Sequence, residues 1–181
     1  MTIRKILFRL SSVILALAVV PSALAMDSTS FEIGIGEHAQ FARLGLQSDW
    51  QSRWFQSNGS YVGGYTDFTL AQWRGMRFQG INGARQTMTD LGITPVLRFQ
   101  SDSRLGFYVE AGIGAHLLSD LYDNNGRRFS TKFQFGDHLG LGYITQKHLV
   151  LSLQLQHFSN GGIKHPNPGE LFVVLKMAHA F

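Results

Sequence analysis

Three features of this sequence predict an all-β fold, an eight-stranded antiparallel transmembrane β-barrel of the bacterial outer membrane. They are an export leader, eight segments with apolar side chains at every second position, and connections that alternate between long and short.

MTIRKILFRL places Arg4, Lys5 and Arg9 ahead of the apolar run SSVILALAVV, and Pro21 and Ala23-Leu24-Ala25 follow. This succession of charged, apolar and small-residue regions is that of a secretory signal peptide cleaved after Ala25. Its apolar core, roughly ten residues, is short for the ~20 that a spanning helix needs. Residues 1–25 are therefore expected to be a signal peptide, and 26–181 a single β-barrel domain. Three of the 16 Lys and Arg residues leave with the leader, so the remaining 13 nearly balance 12 Asp and Glu. A chain so close to neutral lacks the basic face that nucleic acid requires. It also has no cysteine, so hydrogen bonding and packing alone must hold the exported domain together.

Beyond residue 30 the apolar period is two, the period of a strand. Leu149, Leu151, Leu153 and Leu155 alternate with Val150, Ser152, Gln154 and Gln156. Leu171, Val173, Leu175, Met177 and Phe181 oppose Lys176, Ala178 and Ala180, and Phe107, Val109, Ala111, Ile113 and Leu117 oppose Glu110, Gly112 and Gly114. The segments expected as strands are 31–37, 39–53, 61–72, 91–100, 106–118, 131–144, 148–159 and 171–181. No helical stretch separates them, which favours an antiparallel meander over βαβ units.

A soluble sandwich or lipocalin-like barrel would turn the apolar face inward, whereas a membrane barrel turns it out to lipid. The leader favours the second. So do the long connections near 73–90, 119–130 and 160–170 against short turns near 101–105 and 145–147, and the apolar final strand ending in Phe181, which fits recognition by barrel-assembly machinery. Closure also satisfies every backbone group in lipid. Eight strands leave a lumen that side chains fill. Arg43, Asp67, Arg98, Glu110, His138 and Lys176 fall on its inner face and are expected to plug it as a charge network.

One stretch carries chemistry: HFSNGGIKHPNPGE, His157 to Glu170. His157 and Ser159 continue the odd register of the leucines, so both should project from the lipid-facing wall where the seventh strand reaches the outer leaflet. Polar groups there are costly and mark function. Side chains two apart on one strand face lie roughly 6–7 Å apart at Cα, which allows His157 to act as base for Ser159, with Glu170 orienting the imidazole. Gly161 and Gly162 permit a sharp bend that aims N–H groups at an oxyanion. Asn160 and Asn167 add amide donors, while Pro166 and Pro168 stiffen the loop. Asp137 would put a carboxylate on the lipid face. A β-bulge at Gly136 rotating it inward is preferred, with service to the neighbouring strand's site as the alternative. His116, His148, His165 and His179 are scattered, so no metal or cofactor is assigned.

The stretch resembles the H-x-S-N-x-G-x-K-x-P-N-x-G-(x)-E signature of the outer-membrane lipid A 3-O-deacylase (PagL) family. RLGLQSDW (Arg43 to Trp50), YVEAGIGAHLLS (Tyr108 to Ser119) and FQFGDHLGLGY (Phe133 to Tyr143) are similar to other family segments. The resemblance implies a serine esterase that hydrolyses the 3-O-linked acyl chain of lipid A through a Ser-His-Glu triad at Ser159, His157 and Glu170. It also implies an oxyanion hole from the amides of Gly161 and Gly162, with Asn167 as the matching loop asparagine. Some members carry a residue between the glycine and the glutamate, whereas Gly169 and Glu170 are adjacent here, shortening the loop by one. The implied partners are lipid A in lipopolysaccharide, other outer-membrane lipids and, during insertion, the barrel-assembly machinery, with a homodimer admitted. Lys164, Arg127 and Arg128 are placed to meet lipid A phosphates or to stay solvated. An outer-membrane phospholipase, a non-catalytic structural or adhesin barrel, and a soluble lipid-binding barrel are the rival readings.

Overall fold

The computed structural model describes residues 26–181, so the expected signal peptide lies outside the described residues. In chain order the strands are β1 (Ser28–Gly36), β2 (Ala39–Asp49), β3 (Trp54–Ser57), β4 (Ser60–Met76), β5 (Arg85–Ser101), β6 (Gly106–Leu118), β7 (Asp123–Asn124), β8 (Arg127–Arg128), β9 (Phe133–Ile144), β10 (Leu149–Ser159) and β11 (Glu170–Ala180). Eight of them close a barrel. Neighbours run antiparallel in the order β2-β1-β11-β10-β9-β6-β5-β4, and β4 returns to β2. The closed wall has no free edge, as a lipid environment demands, and its β5–β6 ladder is interrupted only at Thr94-Pro95.

All eight expected strands are present, and their bounds shift for local reasons. β4 and β5 extend beyond the apolar band, because Gln72, Arg74, Thr87 and Thr89 go on pairing above it. The long connection expected at 73–90 therefore shrinks to 77–84. β2 stops at Asp49, and β3 forms a separate small hairpin with β4 around Asn58-Gly59, whose φ values of 49° and 73° suit a tight two-residue turn. Part of the connection after β6 folds into the β7–β8 hairpin in the same way, at Asn125-Gly126.

The faces divide as the alternation predicts. Leu91, Ile113, Leu139, Leu153, Leu155 and Leu175 are exposed on the outside. Two layers of the lumen lie toward the His157 end, and a separate apolar cluster of Tyr108, Ile144, Val150 and Ala178 fills the opposite end. In one of the two layers, Arg43 and Lys176 bind Glu32, Lys176 Nζ lies 2.6 Å from Asp67, and Arg98 Nη2 lies 2.8 Å from Glu110. Gln154 and Tyr65 donate to the same Glu110 carboxylate at 2.9 and 3.0 Å. The other layer is apolar, and Phe41, Trp73, Met88, Tyr122, Phe129, Phe158 and Phe172 fill the end from which loops 77–84, 119–132 and 160–169 emerge. That aromatic plug lies directly behind the HFSNGG stretch.

Candidate active site

β10 carries His157 and Ser159 on its outward face and Phe158, between them, on its inward face. Phe158 is fully buried. Its ring centroid is 4.8 Å from Trp73, 4.9 Å from His116 and 5.8 Å from Phe172, all at steep angles. Edge-to-face packing of this kind resists rotation, so the strand holds its parity at the point where the polar pair appears. The Asp90–His116 pair, 3.0 Å apart and buried, sits behind β9. The space it needs exists because Gly136 has no side chain, since a Cβ there would meet the His116 ring at 2.7 Å.

His157 has two cross-strand neighbours on its own face, Asp137 of β9 and Leu171 of β11. Its Nδ1 lies 3.3 Å from Asp137 Oδ1. β9 pairs without interruption from Phe133 to Ile144. The expected bulge at Gly136 is therefore absent, and Asp137 stays on the outer wall. It lies beside His157 of the neighbouring strand, which is the placement that the sequence held as its alternative.

Ser159 stands opposite Phe135 and, at 3.4 Å, accepts a hydrogen bond from Gly161 N–H. No hydrogen bond joins Ser159 to His157 among the described residues; catalytic hydrogen bonds in unliganded sites commonly tighten only around substrate. Gly161 and Gly162 both have positive φ, 64° and 81°, which lets the chain turn back over the strand end.

The expected oxyanion donors separate into two groups. Gly161 N–H is directed at the serine oxygen. Asn160 is buried, its side-chain amide donating to Ser130 Oγ and Lys164 O while its Oδ1 accepts from Gly162 N–H. Asn160 N–H in turn donates to Asn167 Oδ1 at 2.9 Å. Asn160, Gly162 and Asn167 thus bind one another and shape the loop.

Glu170 departs from its expected place. It pairs with Phe158, not with His157, and so faces the lumen with 1% exposure. Its Oε1 accepts from His38 N–H at 3.1 Å, and its Oε2 lies 3.6 Å from His38 Nδ1. Burial, and then this carboxylate, push the Tyr122 phenol up. The reason is parity: a Glu–His contact across the β10–β11 ladder needs the carboxylate at 171, and the short loop puts it at 170. His38 and Tyr122 were not identified from sequence, and Asp137 beside His157 was held only as the second alternative. Only Asp137 left a signal, as a charge on an otherwise apolar face.

The rim is basic. Arg127 donates to Gly169 O at 3.2 Å, Lys164 and Arg128 are exposed, and Ser130 Oγ ties the β8–β9 connection to Lys164 O.

Residues 40–180 match the family described as lipid A 3-O-deacylase (PagL). A relative named lipid A deacylase PagL from Bordetella bronchiseptica is 32% identical over 179 residues, covering 98% of this chain and 96% of that protein. A second of that name from Pseudomonas aeruginosa is 30% identical over 150 residues, 83% of each chain. The crystal structure of the outer-membrane enzyme PagL shares the fold, with a TM-score of 0.72 and 23% identity over 85% of this chain and 99% of that one. An outward histidine–serine pair on a closed eight-stranded wall, and matches spanning nearly all of the barrel, lead to one conclusion: this chain belongs to the lipid A 3-O-deacylase (PagL) family, as an ester hydrolase of the outer membrane.

Proposed function

We propose that this protein hydrolyses the acyl chain ester-linked at the 3-position of lipid A, with Ser159 as nucleophile and His157 as general base. One observation carries the reading: His157 and Ser159 interrupt the apolar outer face of β10 where it leaves the hydrocarbon zone, beside a carboxylate. A site on the outer wall meets a substrate that never leaves the membrane. The acyl chain lies along the apolar side chains below the serine, among them Phe135, Leu155 and Leu171, while the ester carbonyl lies at the strand end.

With Nδ1–H directed at Asp137, Nε2 is left to take the Ser159 proton. The Ser159 oxygen then attacks the ester carbonyl, and Gly161 N–H stabilises the oxyanion. When the tetrahedral adduct collapses, His157 gives its proton to the departing 3-hydroxyl oxygen and leaves an acyl-Ser159. Water, deprotonated by the same imidazole, releases the fatty acid and restores the serine. The exposed cations Lys164 and Arg128 supply positive potential beside the phosphates of the headgroup.

Mass spectrometry of lipid A from cells carrying the wild type or Ser159→Ala tests this. Loss of one hydroxyacyl chain with the wild type alone is expected. Identical spectra, or faster cleavage of glycerophospholipid than of lipopolysaccharide by purified protein, would reject it.

A further inference from the structure

For Nε2 of His157 to accept a proton, Nδ1 must hold its own proton against an acceptor that does not move. In an antiparallel wall the only residues that meet His157 side by side on its face are its two ladder partners. One is Leu171, which has no acceptor. The other is Asp137, with Oδ1 3.3 Å from Nδ1. Glu170 lies one residue out of phase with the ladder, behind the sheet, and His38 occupies its carboxylate.

Asp137 is otherwise hard to explain. It is half-exposed on a face whose next members are Phe135 and Leu139, and among the described residues its one ion-pair partner is His157. A carboxylate on the hydrocarbon side of a barrel wall is destabilising without a partner.

We infer that Asp137 is the residue that positions His157, making the working set Ser159–His157–Asp137, and that Glu170 instead holds the Glu37-His38 turn to the lumen side of β11. This rests on the esterase reading above. In each half-reaction the proton shuttles between the reacting oxygen and His157 Nε2. Asp137 fixes the tautomer and stabilises the imidazolium.

The test is steady-state deacylation of purified lipopolysaccharide by detergent-solubilised full-length variants, each first shown to keep the heat-modifiable gel mobility of a folded barrel. Asp137→Asn should lower kcat about a hundredfold or more while KM stays within about twofold, since the interaction is made with the base and not with substrate. Asp137→Glu should recover part of the loss. Leu171→Glu in the Asp137→Asn background should recover kcat at least about tenfold, because residue 171 meets His157 from the opposite strand. Glu170→Gln should lower the thermal midpoint with kcat within about threefold of wild type.

Wild-type kcat in Asp137→Asn would overturn the inference, as would a kcat loss in Glu170→Gln matching that of Asp137→Asn in a folded barrel. A wild type no faster than Ser159→Ala would sink the esterase reading itself, and the Asp137 assignment with it. Activity in wild type but not in Ser159→Ala separates the two failures.

Discussion

Gly169 shows how little freedom the site has at the scale of a single residue. Its φ of 69° lies in the left-handed region, and a Cβ added there would collide with His157 Nε2 and crowd Phe158 O at 3.3 Å. Gly169→Ala therefore adds backbone strain of roughly 1–2 kcal/mol and pushes the imidazole off its Asp137 contact. Deacylation should fall by about ten- to a hundredfold, the scale expected when a catalytic group moves by about 1 Å. Heat-modifiable mobility on gels should persist, because the change lies at the barrel rim. A variant with full activity would show that the imidazole does not need this clearance. Gly161 is constrained for a different reason: it turns at positive φ against Phe135 while keeping its N–H directed at Ser159. The sequence revealed the need for glycine at 161 but not at 169, nor which atom either glycine makes room for.

At the scale of the element, β10 is a two-sided device. Its outer face ends in His157 and Ser159, and Phe158 on the inner face locks the strand into the aromatic plug. Phe158→Ala should destabilise the barrel by roughly 3–5 kcal/mol through a cavity against Trp73 and His116, read as a lower midpoint of thermal unfolding in detergent. It should also lower kcat, because the same ring sets the pose of both neighbours. An unchanged midpoint would mean that the plug closes over the gap and that β10 is held by its ladders alone. Strand identity was legible in the alternation of Leu149 to Gln156, down to the direction of His157 and Ser159. Strand length was less so, for β4 and β5 run on through polar residues whose pairing no hydrophobic pattern reports.

For the whole molecule, the lumen sets stability and the wall sets chemistry. Lys176 sits between Glu32 and Asp67 with 2% exposure, so Lys176→Met leaves buried Glu32 with Arg43 and buried Asp67 without an ion-pair partner. Removing one partner of a buried ion cluster costs about 3–5 kcal/mol, and the variant should unfold at lower temperature or denaturant. Because these charges are shielded from solvent, the wild-type midpoint should hardly change between low and physiological salt. A midpoint equal to wild type in Lys176→Met would show that the network fills space without contributing net stability. Arg43, Asp67, Arg98, Glu110 and Lys176 were readable from sequence as inner-face charges, whereas Glu32 and Asp90, equally buried, were not. Nor was the pairing of these charges.

The division between the two kinds of information follows from range. Alternation is a local property, so the chain by itself determined the barrel, its apolar exterior, its charged filling and the outward placement of the His-x-Ser pair. Which side chains meet across strands depends on register, a property of the closed sheet, where a displacement of one residue exchanges the two faces. That is why proximity along the chain pointed to Glu170, while the folded ladder set Asp137 beside His157 and turned Glu170 toward His38.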